Sequence, residues 1–289
     1  MKKTAPMSLN QLKRTAPTHQ PTPVALASVS FYPVHDLQFM LFNGPDMISR
    51  QLRSGQLWES SLIELLKHFL SDLSQPILLD IGANLGSITI PMGKLIQKMQ
   101  GKVYSFEAQR GVYYQLCGNI FANQLSNTCH AYNIAIGNQE TEINIPILDL
   151  QHEKNVGSLS LDENIRQQQR TLSTEITQFE KVSMTTIDLF QLPAASLIKI
   201  DVEGLELEVL QGAQNFIQKS NYPPIFFEVW GDYMQQQIEK REQLMQFVHQ
   251  NLGYETVLFG ELCIAQHPDN KFFDIKVNRD RTLEMTRLK

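Results

Sequence analysis

"LIKIDVEG", residues 197–204, is the stretch on which the reading of this chain turns. Its apolar residues suit a strand buried on both faces, yet Lys199, Asp201 and Glu203 occupy alternate positions. In an extended chain those three side chains point the same way. Burying a carboxylate is costly unless something pairs with it, so this strand must deliver its charges to a site at its carboxyl end. "LELEVLQGAQNFI" (205–217) follows at once and reads as a helix.

The same strand–turn–helix unit recurs on either side. "PILLDIG" (76–82) reads as a buried strand and "SITIPMGKLIQKM" (87–99) as a helix, against which Pro91 and Gly93 count unless they lie in its first turn. "KVYSFEA" (102–108) is a strand, "GVYYQLCGNIFANQ" (111–124) a helix, and "CHAYNIAIG" (129–137) a strand again. Later come "KVSMTTIDLF" (181–190, strand and short helix), the strand "PPIFFEVW" (223–230) and the helix "YMQQQIEKREQLMQFVHQ" (233–250). "GYETVLFGELCIAQ" (253–266) reads as two strands meeting at Phe259–Gly260, with no helix between them. Such alternation predicts an α/β protein: a mostly parallel sheet, helices on both faces and an antiparallel strand at one edge.

The organisation expected is a disordered N-terminal arm (1–24), a strand and helix extension (25–75), a principal domain (76–277) and a C-terminal tail (278–289). The extension holds "VSFYPVHDLQFMLFNG" (29–44), a strand or hairpin, and "SSLIELLKHFLSDL" (60–73), a helix that Ser60 or Ser61 can cap. Within the principal domain "TEINIPIL" (141–148) alternates as a half-exposed strand, and glutamine-rich residues 149–180 read as a surface insertion without defined structure.

Composition narrows the class. The 289 residues are 42% hydrophobic and 19% charged, as in an ordinary globular protein, and carry a net charge of -5. That charge disfavours a general nucleic-acid binder. The three cysteines form no C-x-x-C pair, which points to a reduced, cytoplasmic setting with all three as small buried residues. No apolar h-region follows the first lysines, and no apolar run is long enough for a membrane span.

In open parallel sheets, ligands bind beyond the carboxyl ends of the strands. Four of those ends carry an acid: Asp80, Glu107, Asp201 and Glu228. One such acid reads as a cap or ion pair, but four at equivalent places suggest the rim of a pocket for a ligand rich in hydroxyls, amines or positive charge. Beside the first lies "DIGANLG" (80–86), a tight turn whose Gly82 and Gly86 permit close backbone approach. Its D-x-G-x-N-x-G spacing differs from the dinucleotide fingerprint G-x-G-x-x-G and resembles motif I of the class I S-adenosyl-L-methionine-dependent methyltransferases. Glu107, 27 residues after Asp80, stands where a carboxylate accepts both hydroxyls of a ribose. Nicotinamide cofactors are held in the same way, so these two features leave dehydrogenases and methyltransferases both open.

The order of "ILLDIGANLGSIT", "VYSFEAQ", "NIAIG", "VSMTTIDLF" and "LIKIDVEGLELEVLQGA" separates them. Together these resemble the FkbM family of S-adenosyl-L-methionine-dependent methyltransferases over residues 56–265, with "GQLWES" (55–60) and "NVGSLSL" (155–161) as weaker elements. The resemblance implies a Rossmann-like class I methyltransferase fold with a seven-stranded sheet. It also implies O-methylation of a hydroxyl on a sugar or natural-product scaffold, so the expected partner is a small-molecule or glycan acceptor. Gly82, Asn84 and Gly86 would then run along the methionine part of the cofactor, Asp80 would hold that loop or a water at the amino group, and Glu107 would hold the ribose. Ile136 is a candidate for adenine. At the reacting end, Asp201, Glu203 and Lys199 are the candidate catalytic residues: the two acids stand where a general base or a magnesium-type oxygen site would form, and Lys199 pairs with a neighbouring carboxylate or, as the other reading, acts on the substrate directly.

Two other classes compete. A nicotinamide-dependent oxidoreductase is disfavoured by the missing glycine pattern and the lack of a Tyr-Lys or His catalytic set. A non-catalytic binding module is disfavoured because the acidic strand ends are intact. "NYPP" (221–224) resembles the Asn-Pro-Pro-Tyr signature of amino-methylating nucleic-acid enzymes, but it precedes the wrong strand in the wrong residue order and reads as a turn. Trp58–Glu59 reads as packing at a helix start, with closure over the cofactor as the other reading.

Overall fold

Neighbouring residues of the central strands face opposite ways, and each face has its own core. Leu78, Val103, Leu197, Phe226 and Ile264 belong to one buried cluster, Leu79, Phe106, Ile198, Ile200 and Phe227 to the other. A strand flanked by helices on both sides has no solvent face, which explains the apolar runs. The computed structural model describes residues 28–169, 176, 178–231, 234 and 237–288. The arm expected at 1–24 lies outside the described residues.

A hairpin of β1 (Val29–Val34) and β2 (Leu37–Phe42) leads to helices α1 (Met47–Arg53) and α2 (Ser60–Leu70). Then come β3 (Ile77–Ile81), α3 (Thr89–Lys98), β4 (Lys102–Phe106), α4 (Arg110–Ala122), β5 (Cys129–Tyr132), β6 (Ala135–Ile136) and β7 (Thr141–Pro146). The second half runs α5 (Glu163–Gln169), β8 (Phe179–Thr185), β9 (Leu197–Ile200), α6 (Glu206–Gln211), α7 (Gln214–Lys219) and β10 (Ile225–Glu228). It ends with α8 (Ile238–Gln246), β11 (Glu255–Phe259), β12 (Leu262–Gln266), β13 (Phe273–Val277) and β14 (Leu283–Arg287).

The main sheet has seven strands in the order β11-β12-β10-β9-β3-β4-β5. β10, β9, β3, β4 and β5 pair in parallel, while β12 is antiparallel to both β10 and the edge strand β11. β3 is the middle of the five parallel strands, and the crossovers run outward from it in both directions. This is the point of strand-order reversal where such sheets open a crevice.

Four expectations change with tertiary context. The helix 205–217 is two helices, because Gly212 packs so closely on Gly137 that an added Cβ would lie 2.1 Å from its carbonyl oxygen. The strand 129–137 breaks after Tyr132, where Asn133 Nδ2 donates to the carbonyls of Glu107 and Ala108, both at 2.9 Å. Its second piece, β6, joins β8 and β7 in a separate three-stranded sheet. The helix starting at Ser60 is preceded by Glu59 in the left-handed region (φ 49), and no serine side chain caps it. Residues 278–289, expected as a tail, supply β14, whose Arg287 guanidinium lies 5.2 Å over the Phe273 ring.

Candidate active site

β9 ends at Ile200, so alternation alone does not carry Glu203 to the site. Asp201 follows the strand directly, but Glu203 takes a left-handed backbone (φ 54) and Gly204 a wider positive angle (φ 100). Left-handed conformation in a side chain-bearing residue costs of order 1–3 kcal/mol and persists where surrounding structure fixes it. What fixes it is Glu206. This carboxylate is buried, and its Oε1 accepts the N–H groups of Val202 (3.1 Å) and Gly204 (3.3 Å), folding the turn back on the helix start. An added Cβ at Gly204 would lie 2.5 Å from Ile165 Cδ1 and 2.6 Å from the Trp230 ring, so only glycine fits beneath them.

At the end of β3, the turn "DIGANLG" packs on the same loop. Gly82 (φ 78) abuts Asp201 so tightly that a Cβ would meet its carbonyl oxygen at 1.7 Å. Lys199, 4% exposed, joins the two strands: its Nζ donates to Gly82 O (2.9 Å) and faces Asp80 Oδ1 (3.2 Å) and Asp201 Oδ2 (3.4 Å). Burial alone would pull the Lys199 ammonium down, but Asp80, Asp201 and Glu59 outweigh it and hold it above its ordinary range.

A cleft of about 180 Å³ opens beside these strand ends. Gly82, Asn84, Glu107, Ile136, Asp201, Glu203 and Glu228 all line it. Glu107 is oriented by two backbone amides: Oε2 accepts Asn84 N–H (2.9 Å) and Oε1 accepts Gln109 N–H (2.8 Å). Burial nonetheless pushes its pKa up to about 7, the two amide bonds offsetting only part of that.

Three predicted residues do not reach the cleft. Asp80 is fully buried, its Oδ2 accepting from Thr89 Oγ1 (2.6 Å) and its Oδ1 facing Lys199. It sits behind the loop rather than beside a ligand. Lys199 is likewise an internal charge partner and not a group at the reacting centre. Gly86 (φ 95) turns toward the hydrophobic core, where a Cβ would meet Leu116 and Ile90.

At the far end three acids converge: Asp201, Glu203 and Glu228 each bring a carboxylate oxygen within 4.8 Å of the others. Burial and then the charge of Asp201 push Glu228 up to about 8, although Trp230 Nε1 donates to its Oε2 at 3.1 Å. Glu203 is raised well above the usual carboxylate range by the same two causes, with Glu228 adding to them. Glu59 stands at the open rim; burial of its carboxyl and repulsion from Asp201 raise it to about 7, a shift that solvent at the rim screens.

Sequence patterning names the opposite wall only in part, through "GQLWES" and "NVGSLSL" as weaker elements and closure over the cofactor as the second reading of Trp58–Glu59. Trp58 and Glu59, read as packing, line the cleft, as do Met47 and Ile48 of α1. So do Asn155, Gly157, Leu159 and Leu161, from the stretch taken as a surface insertion. Part of that stretch is buried: Glu153 and Ser160 are 0% exposed and Val156 7%. Its Val156 and Leu159 pack with Val112 and Leu148. Short apolar residues among polar ones do not announce burial, although "NVGSLSL" was visible as a possible flank.

This strand order, with a glycine turn after β3 and an acid after β4, is the arrangement expected of the Rossmann-like class I methyltransferase fold. The family model described as the methyltransferase FkbM domain matches residues 80–256. The chain therefore belongs to the FkbM methyltransferase family, whose methyl donor is S-adenosyl-L-methionine. A search of curated proteins gives no match.

Among solved structures the chain is similar to methyltransferase FkbM of Methylobacillus flagellatus, at 15% identity and a TM-score of 0.44, covering 67% of this chain and 44% of that one. It is also similar to a precorrin-6y C5,15-methyltransferase of Geobacter metallireducens (13% identity, TM-score 0.40, 73% and 90% covered). A third is the tRNA (uracil-54, C5)-methyltransferase of Pyrococcus abyssi, in complex with S-adenosyl-L-homocysteine (10% identity, TM-score 0.41, 82% and 43% covered). The present chain thus spans less than half the length of the Methylobacillus protein. No helix among the described residues is long and apolar enough to cross a membrane.

Proposed function

We propose that this protein methylates a hydroxyl group of a sugar or other small-molecule or glycan acceptor. The observation that carries this reading is the convergence of acids from the ends of β4, β9 and β10 on one cleft, beside the glycine turn of β3. Bound S-adenosyl-L-methionine supplies a methyl group on a sulfonium sulfur, open to in-line attack. The residues present fit that group. Glu107, held by two backbone amides, keeps lone pairs for the ribose hydroxyls. Ala135 and Ile136 offer apolar cover for adenine, and Gly82 and Asn84 border the methionine end.

Placing and drying the reactants contributes much of the rate in such a transfer. A neutral hydroxyl also needs a proton acceptor. Asp201 orients the acceptor hydroxyl, its charge balanced by Lys199. Glu203 or Glu228, whose burial beside Asp201 raises their proton affinity, takes the proton. The same three carboxylates also support a second reading, as oxygen ligands of a divalent cation that would lower the hydroxyl pKa instead.

Thermal shift with S-adenosyl-L-homocysteine, NAD and NADP tests the cofactor. Stabilisation by the first alone is expected, and stabilisation by the nicotinamides alone would refute the reading. An acceptor screen run with and without chelator then separates base from metal, since only the metal reading predicts loss of turnover on chelation.

A further inference from the structure

Asp46 lies outside the stretch matched by the family model and outside every motif of the sequence. It is nevertheless 3% exposed, and both of its carboxylate oxygens are engaged. Oδ2 accepts Ser49 N–H at 2.8 Å, an ordinary N-cap of α1. Oδ1 accepts Val156 N–H at 3.1 Å, 110 residues further along the chain. The neighbouring backbone reinforces the contact, with Met47 N–H donating to Lys154 O at 2.9 Å.

A helix cap needs only one oxygen, and a second carboxylate oxygen this deep must find a donor or carry a large desolvation cost. Its donor belongs to the turn that supplies Asn155 and Gly157 to the cleft, while α1 supplies Met47 and Ile48. The turn also rests on the cofactor loop: a Cβ at Gly157 would lie 2.8 Å from Asn84 Nδ2, and Gln109 Nε2 donates to Val156 O at 3.3 Å. Asn84 and Gln109 are the two residues whose amides orient Glu107.

We infer that Asp46 is a positioning residue for cofactor binding: its carboxylate ties the 155–159 turn to α1, and through Asn84 and Gln109 that turn sets Glu107. The inference rests on the cofactor reading of the cleft given above. Asp46 touches no reacting atom in this arrangement; it fixes a wall that would otherwise be an independent loop.

Asp46→Ser tests it, because serine caps a helix as aspartate does but is too short and has too few oxygens to reach Val156 as well. We expect the variant to fold but to melt below the wild type, since the buried Val156 N–H loses its acceptor, to lose hydrogen-exchange protection at that amide, and to bind S-adenosyl-L-homocysteine about tenfold more weakly by calorimetry. Val156→Pro removes the donor from the other side, at the first position of its short helical turn, where proline is tolerated. It should weaken binding similarly, and the double variant should be no worse than either single one. Should Asp46→Ser fail to fold, Val156→Pro, which leaves the cap intact, decides the matter alone. Wild-type affinity in the folded single variants, or additive losses in the double, overturns this inference only. Failure of the wild-type chain to bind S-adenosyl-L-homocysteine at all overturns the cofactor reading and this inference with it.

Discussion

Glu206→Gln isolates the charge that holds the "DVEG" turn. In the wild type both loop amides, Val202 N–H and Gly204 N–H, bond to a single oxygen, Oε1. Glutamine keeps an oxygen in that place and so preserves both bonds while deleting a buried charge. Burial, opposed by those amides, lifts Glu206 from 4.5 to about 7. A carboxyl with a raised folded-state pKa holds its proton more tightly in the folded chain, so its contribution to stability is complete below about pH 4.5 and is lost as pH rises through about 7. At about 1.36 kcal/mol per pKa unit the full span is roughly 3 kcal/mol, of which about 2.5 falls between pH 5 and pH 8. Glutamine does not titrate, so the variant gains on the wild type by about that amount over the same interval. Urea denaturation of both proteins at pH 5 and pH 8 measures the difference, to which Glu203 and Glu228 add a smaller part because the Glu206 charge helps to raise both of them. Parallel pH profiles, agreeing within about 0.5 kcal/mol, would show that Glu206 bears no desolvation cost and would refute the reasoning.

Three further outcomes follow from the site. Glu107→Ala should weaken S-adenosyl-L-homocysteine binding at least about tenfold, near 1.4 kcal/mol by calorimetry, and unchanged affinity would move the ribose elsewhere. Lys199→Met leaves Asp80 buried without its cation and should cost about 3–5 kcal/mol in urea denaturation; a loss of turnover with no loss of stability would return Lys199 to a direct catalytic role. Asp201→Asn should spare cofactor binding but lower turnover on the true acceptor, and full activity would make that acid structural.

The strand ends were legible because their chemistry is local. Asp80, Glu107, Asp201 and Glu228 each close an apolar run, and a short run of buried residues ending in an acid can be recognised without knowing its neighbours. What each acid does was not legible. Asp80 and Glu107 have the same kind of sequence context, yet Asp80 is sealed behind the loop with Lys199 and Thr89, whereas Glu107 opens on the cleft. The difference is set by which strand lies alongside: β9 brings Lys199 opposite Asp80 in the parallel register, while β5 brings Tyr132 opposite Phe106 at the end of β4.

The sequence by itself determined the parallel sheet, its glycine turn and the acids at its carboxyl ends, because strand periodicity, turn glycines and buried charge act within a few residues. Tertiary structure alone decided which of those acids face a ligand, where helix 205–217 breaks and what closes the cleft. Asp46 meeting Val156, Gly212 meeting Gly137 and Gly82 meeting Asp201 are contacts between segments far apart along the chain. Steric fit and desolvation at such contacts depend on register and packing, and no local pattern of residues encodes them.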